Sequence, residues 1–202
     1  MKRRLKCLIC VGCVLLLSGC SGFLPYSREI SDLKLISVLG LDKNEQNKNG
    51  FTLTASVKRE EPVGAQDGGD KPVILTQSGE TLKHAASDMQ GLTDKYISFG
   101  HIGYYIIGES ASTDELLPYL DFLARDSSTR FSTKLYVVKG SSANELLNEG
   151  SSNNAFLGDR LKSLEKDYGS TSVVTPRPLS EVICRLQNNG CALVPALTLV
   201  ES

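Results

Sequence analysis

The sequence predicts an α+β domain, a mixed central β-sheet of about five to six strands flanked by several α-helices. Alternation with period two is clearest at Phe51, Leu53, Ala55 and Val57, interleaved with Thr52, Thr54, Ser56 and Lys58, the mark of a strand with one buried face. Apolar stripes at helical spacing follow, the first of them Leu82, Ala85, Ala86, Met89 and Leu92. From residue 73 onward strand and helix patterns intermingle, and helices laid on a sheet satisfy that order most economically. Hydrophobic residues make up 41% of the chain, enough for a core. No internal repeat is visible.

Leu35 to Leu41 is a compact apolar run that reads as the first strand. The polar segment NEQNKNG separates it from the second, so the two form a hairpin with a long connection. Asp42-x-Asn44-x-Gln46 echoes a calcium loop only faintly and lacks the required Gly and distal Glu, so it is read as plain connection. Residues 60 to 72 concentrate Pro, Gly and Asp as a loop, before a short strand at Val73 to Thr76. Ser78 offers an N-cap for the first helix, with Glu80 in its first turn.

Tyr96 to Gly108 is the most strand-like stretch, aromatic and β-branched, with Gly100 and Gly103 as bulge or close-approach points. Ser112 and Glu115 stand in capping-box spacing ahead of an inner face of Leu116, Leu120 and Leu123 or Ala124. Pro118 is too deep for that first turn and predicts a kink or restart. A strand at Lys134 to Val138 precedes a short helix at Ala143 to Asn148, with Ser142 and Glu145 as a second capping box. Leu157, Leu161, Leu164 and Tyr168 predict one more helix. Leu179, Val182, Ile183 and Leu186 predict the last, stopped by Asn189-Gly190. Ala192 to Glu201 is a final strand that Pro195 pushes toward a sheet edge.

Ahead of the domain, Lys2, Arg3, Arg4 and Lys6 precede an apolar run from Leu8 to Leu17. That is the order of a secretory signal peptide, and the run is too short for a stable membrane span, which needs about 20 apolar residues. It ends in Leu17-Ser18-Gly19-Cys20, which resembles the lipobox of bacterial lipoproteins. The resemblance implies cleavage before Cys20, a lipid on its thiol, and anchoring to the membrane by two or more acyl chains. The expected organisation is therefore a signal peptide over 1–19, a lipidated tether over 20–32 and a domain over 33–202. Removing residues 1–19 from the 202 leaves 183 and takes away four basic residues, so the formal charge moves from −1 to −5. A mildly acidic domain is a poor match for nucleic acid or for anionic lipid, so membrane attachment rests on the lipid.

Cys7, Cys10 and Cys13 fall within the segment expected to be removed and are given no metal-binding role. Cys184 and Cys191 remain, an even pair in an exported chain, and a disulfide or two thiols stay open alternatives. No phosphate-binding glycine loop is present. His84 and His101 have no second ligand at metal spacing, and no cofactor is expected. Gly108-Glu109-Ser110-Ala111-Ser112 approaches a nucleophile elbow but has Ser112 in place of the second Gly. A surface-tethered hydrolase using Ser110 with His101 is the enzymatic alternative. A small-ligand-binding lipoprotein is the other. Glu109, Arg125, Asp126 and Arg130 are charged groups near element ends, read as a solvated face, as an end-capping pair or as a partner-docking patch.

The lipobox, SREISDLKLISVLGLDK, SGETLKHAASDMQ, YISFGHIGYYIIGES and LDFLARDSSTRFSTKLYVVKG together resemble the N-terminal domain of the Ger(x)C family, the lipoprotein C subunits of spore-germination nutrient receptors. Its most specific pieces are Arg28-Glu29-Ile30, Gly40-Leu41-Asp42, Phe99-Gly100-His101, Gly108-Glu109, Arg125-Asp126 and Lys139-Gly140. Where family members carry Trp-Asp after the lipid Cys, this chain has Ser21-Gly22-Phe23. The family is longer, so the chain is expected to correspond to the first part of that architecture. The resemblance implies a non-enzymatic component acting with integral-membrane A and B subunits at the outer face of the spore inner membrane.

Overall fold

In a computed structural model the described residues are Arg4, 32–44, 50–57, 72–114, 116–152, 156–167 and 175–199. The chain divides between Asp32 and Leu33, and the fold is that of the second unit. Strands β1 (Leu33–Lys43), β2 (Phe51–Val57) and β3 (Val73–Gly79) form an antiparallel meander. Helix α1 (Leu82–Gln90) leads to β4 (Tyr96–Ser98) and β5 (Tyr104–Ile107). Next come α2 (Glu109–Asp114), α3 (Leu117–Arg125), β6 (Lys134–Lys139), α4 (Ala143–Ser152) and α5 (Leu157–Asp167). The last elements are β7 (Arg177–Pro178), α6 (Leu179–Asn189) and β8 (Ala196–Thr198).

The sheet runs β3-β2-β1-β5-β6-β7, with β4 also on β1 and β8 also on β6, eight strands among the described residues. β1, β5 and β6 are mutually parallel at its centre. Both faces are covered, which is why all four residues of β5 are buried. Tyr105 and Ile107 join Leu39, Leu53, Met89, Leu123 and Val182 on one face. Tyr104 and Ile106 join Val38, Tyr136, Leu146 and Leu161 on the other. The predicted α+β class and mixed sheet are therefore observed.

Several local expectations shift. The strand expected to be continuous from Tyr96 to Gly108 is two strands. β4 pairs Leu33 to Leu35 and β5 pairs Val38 to Leu41, with a 3-10 turn at Phe99–His101 between them. From Ser98 to Tyr104 the chain advances six residues while β1 advances three, so the surplus loops out. Ser78 stays within β3, and Thr81 caps α1, its hydroxyl accepting the His84 amide at 3.1 Å. α2 already begins at Glu109, so Ser112 lies inside it and donates to the Glu109 carbonyl. Pro118 does restart the helix, in the first turn of α3 where no amide proton is needed.

Candidate functional site

Two places in the fold gather the segments that the sequence singled out. The first lies at the carboxyl ends of the three parallel strands. Asp42, at the end of β1, is 4% exposed. Its two carboxylate oxygens accept the amides of Ala143 and Asn144, at 2.8 and 2.9 Å, at the start of α4. A carboxylate there satisfies donors that the helix itself cannot and complements its dipole. Ser142 and Glu145 complete the end as a reciprocal capping box, each side chain accepting the other's amide. Asn144 then donates to Thr54 and Thr76 at 2.9 and 3.0 Å, tying the same helix to β2 and β3.

Close approach at this centre explains its glycines. A Cβ on Gly108 would lie 1.9 Å from Asp42 Oδ1, so only glycine admits the carboxylate. Gly140 turns the chain at φ +82°, a conformation that side chains disfavour. Its amide donates to Glu109 Oε2 at 3.0 Å, and the Glu109 amide donates to the Ser141 carbonyl. Gly40-Leu41-Asp42, Gly108-Glu109 and Lys139-Gly140 thus meet in one polar centre that locks α2 and α4 to the sheet.

The second place is an open groove of about 520 Å³ between α1 and α3. Phe51, Leu82 and Phe122 supply its apolar surface, and Lys83, Asp121, Arg125 and Asp126 its charges. Arg125 Nε donates to Asp121 at 2.8 Å, and this hydrogen bond holds the guanidinium more basic than usual. Both side chains remain largely in solvent. Asp126 accepts the Ser128 amide at 2.8 Å and so shapes the turn after α3. Beneath the groove a cavity of about 60 Å³ is lined by Phe99, Tyr105, Leu123 and Thr129 among others, with Lys83, Phe122 and Asp126 common to both. The Tyr105 hydroxyl shares a long 3.4 Å hydrogen bond with Thr129, and burial pushes its phenol above the ordinary value. Phe99 of the Phe99-Gly100-His101 segment and Asp126 of Arg125-Asp126 therefore line one cavity.

A family model described as the spore germination protein N-terminal domain matches residues 26–199. The chain belongs to this family. Among curated relatives in Bacillus subtilis (strain 168), it is 24% identical over 186 residues to a protein provisionally named spore germination protein YfkR. That match covers 88% of this chain and 46% of the relative. It is 30% identical over 143 residues to spore germination protein KC, covering 66% of this chain and 33% of the relative. The chain thus spans less than half the length of the curated relatives it matches. No solved structure matches it significantly.

Of the four charged residues that the sequence offered this germination family member for docking, the structure brings Arg125 and Asp126 together on the groove. Glu109 belongs to the capping centre instead. Arg130 is exposed and outside the groove lining, its carbonyl accepting the Thr133 amide. Cys184 and Cys191 are free, exposed thiols in the structure. The Cys184 sulfur accepts from Asn188, one helical turn on. His101 and Ser110 flank opposite ends of β5. Four residues of strand, roughly 13 Å, lie between them, too far for the proton transfer that a Ser–His pair requires.

Among the described residues no group of three or more His, Cys, Asp or Glu could hold a metal ion. No helix among them is long and apolar enough to cross a membrane. Cys20, Arg28-Glu29-Ile30 and the signal segment lie outside the described residues, save Arg4. Sequence reasoning missed Asp42 and Asn144 as fold-holding groups and Lys83 and Tyr105 as parts of the groove and its cavity. The helix start opposite Asp42 carried a visible capping box. Nothing in that box names a carboxylate 101 residues earlier.

Proposed function

We propose that this chain is the lipid-anchored C subunit of a spore germination nutrient receptor, or the N-terminal domain of one. In this reading Cys20 carries the lipid and holds the domain at the outer face of the spore inner membrane. The domain is a non-catalytic docking part that works with integral-membrane A and B subunits, and the anchor keeps it at high effective concentration beside them. Family membership over residues 26–199 is the observation that carries the proposal. The groove adds support. An apolar floor with charged walls, an arginine among them, has the composition of a partner-binding patch.

Affinity capture of the tagged chain from spore membranes tests the reading. The expected result is co-recovery of two integral-membrane proteins, and release of the chain to the aqueous fraction with loss of nutrient germination on Cys20→Ala. Recovery without any integral-membrane partner, or normal germination by Cys20→Ala in a strain lacking paralogues, overturns it.

A further inference from the structure

β1, β4, β5 and β6 run parallel to one another. β3 shares their direction, because β1 and β3 are each antiparallel to β2. The sheet therefore has one end where these strands start and one where they finish. The finishing end holds the polar centre around Asp42, Glu109 and Ser142. The starting end is apolar by contrast. Seven large apolar side chains are exposed among the described residues, and four of them lie where these strands begin. Tyr96 opens β4 and is 45% exposed, and Leu92, at 47%, sits in the turn between α1 and β4. Phe131, at 49%, is three residues ahead of β6, and Val73 opens β3. Exposed apolar groups scattered singly over a surface are ordinary, but a set gathered at one end marks a contact.

We infer that the starting end of the sheet lies against a lipid bilayer, with Leu92 and Tyr96 entering the boundary between headgroups and acyl chains. The inference rests on the lipid proposed for Cys20 and adds which end of the domain that lipid brings to the membrane. β1 begins at Leu33, whose partner in β4 is Tyr96, so the segment from Cys20 joins the domain beside the exposed tyrosine. That segment can span at most about 45 Å. β1 is 11 residues long, about 36 Å. Bringing the finishing end to the bilayer would pull the segment nearly straight along the whole strand, whereas the starting end is reached with no such stretch. Side-chain chemistry agrees with the geometry. A tyrosine puts an apolar ring below a polar hydroxyl, the form suited to a membrane boundary, and Leu92 adds apolar surface at the same strand end.

The chain has no tryptophan, so Leu92→Trp, Tyr96→Trp and Lys139→Trp each supply a single reporter. Lys139 is the exposed last residue of β6 and stands at the finishing end. The full lipid-modified chain is reconstituted in phosphatidylcholine vesicles with brominated acyl chains, and circular dichroism checks the fold of each variant. Tyr96→Trp, the conservative change, carries the test should Leu92→Trp disturb the fold. The expected result is blue-shifted, quenched emission at positions 92 and 96 and neither effect at 139. Groups held at a bilayer surface lie about 5–10 Å into the boundary, so bromines near the carbonyl end of the acyl chains should quench more than bromines near the methyl end. Flotation with the vesicles tells the two readings apart. A chain that floats while positions 92 and 96 stay unquenched keeps its anchor and overturns the inference, as does quenching at 139 equal to that at 96. A chain that does not float overturns the anchor and this inference with it.

Discussion

The capping centre around Asp42 and the groove between α1 and α3 are both built from segments that resemble the germination family, yet they use charge in opposite ways. At the centre a buried carboxylate, two helix-end amides and a glycine without room for a Cβ are fitted to one another. At the groove Arg125 and Asp121 face solvent, 80% and 59% exposed, and hold little beyond each other. Buried polar groups that are fully partnered specify a structure, whereas exposed ion pairs add little to it. The comparison teaches that a recognisable motif is not by itself a site. One set of motif residues assembles the domain, and the other is left available.

The strongest way to break the comparison is at Gly108. In Gly108→Ala the new Cβ displaces the Asp42 carboxylate, leaving two amides without partners and crowding the strand end. The expected loss is about 4 kcal/mol, read as a fall in the thermal midpoint. Asp42→Ala removes the acceptor without the crowding and should cost about 3 kcal/mol. The double variant is the sharper measurement, since the Cβ would then enter space that the carboxylate has vacated. Its cost should fall below the sum of the singles by about 2 kcal/mol. Additive losses would show that Gly108 and Asp42 act independently, and the fitted centre would be the wrong description.

How much of this was legible before the structure depends on the range of each interaction. Of the predicted stripe Leu82, Ala85, Ala86, Met89 and Leu92, the first four lie in the helix and pack on the core, because helical periodicity is local. Leu92 falls beyond the helix end and is exposed. The Ser142–Glu145 box was equally readable, since both partners lie within one turn. The break at Phe99–His101 was not, because it is imposed by mismatch with β1 some sixty positions away. Asp42 looked like the end of a hairpin strand, and only the parallel crossover of β1, β5 and β6 carries α4 to it. The groove draws Phe51, Lys83 and Phe122 from three separate elements, so no spacing rule could have assembled it.

A smaller effect separates the parts of the centre itself. Ser142→Ala removes one half of the capping box while leaving Asp42 in place, and the expected cost is about 1 kcal/mol. A loss as large as that of Asp42→Ala would mean that the box, and not the carboxylate, holds α4 to the sheet.

The smallest effect on stability is expected at Arg125, and there the comparison is tested from its other side. Arg125→Ala should leave the thermal midpoint unchanged, because its ion pair with Asp121 is exposed. If the groove is the docking surface, the same variant should weaken co-recovery of membrane partners by about fivefold. Asp121→Ala distinguishes two ways in which that weakening arises. Should Arg125 bind a partner directly, removing Asp121 leaves the guanidinium available and recovery is undiminished. Should the pair instead serve to shape the wall of α3, both variants lose recovery together, and the arginine is a positioning residue with the contact made by its neighbours Phe122 and Lys83.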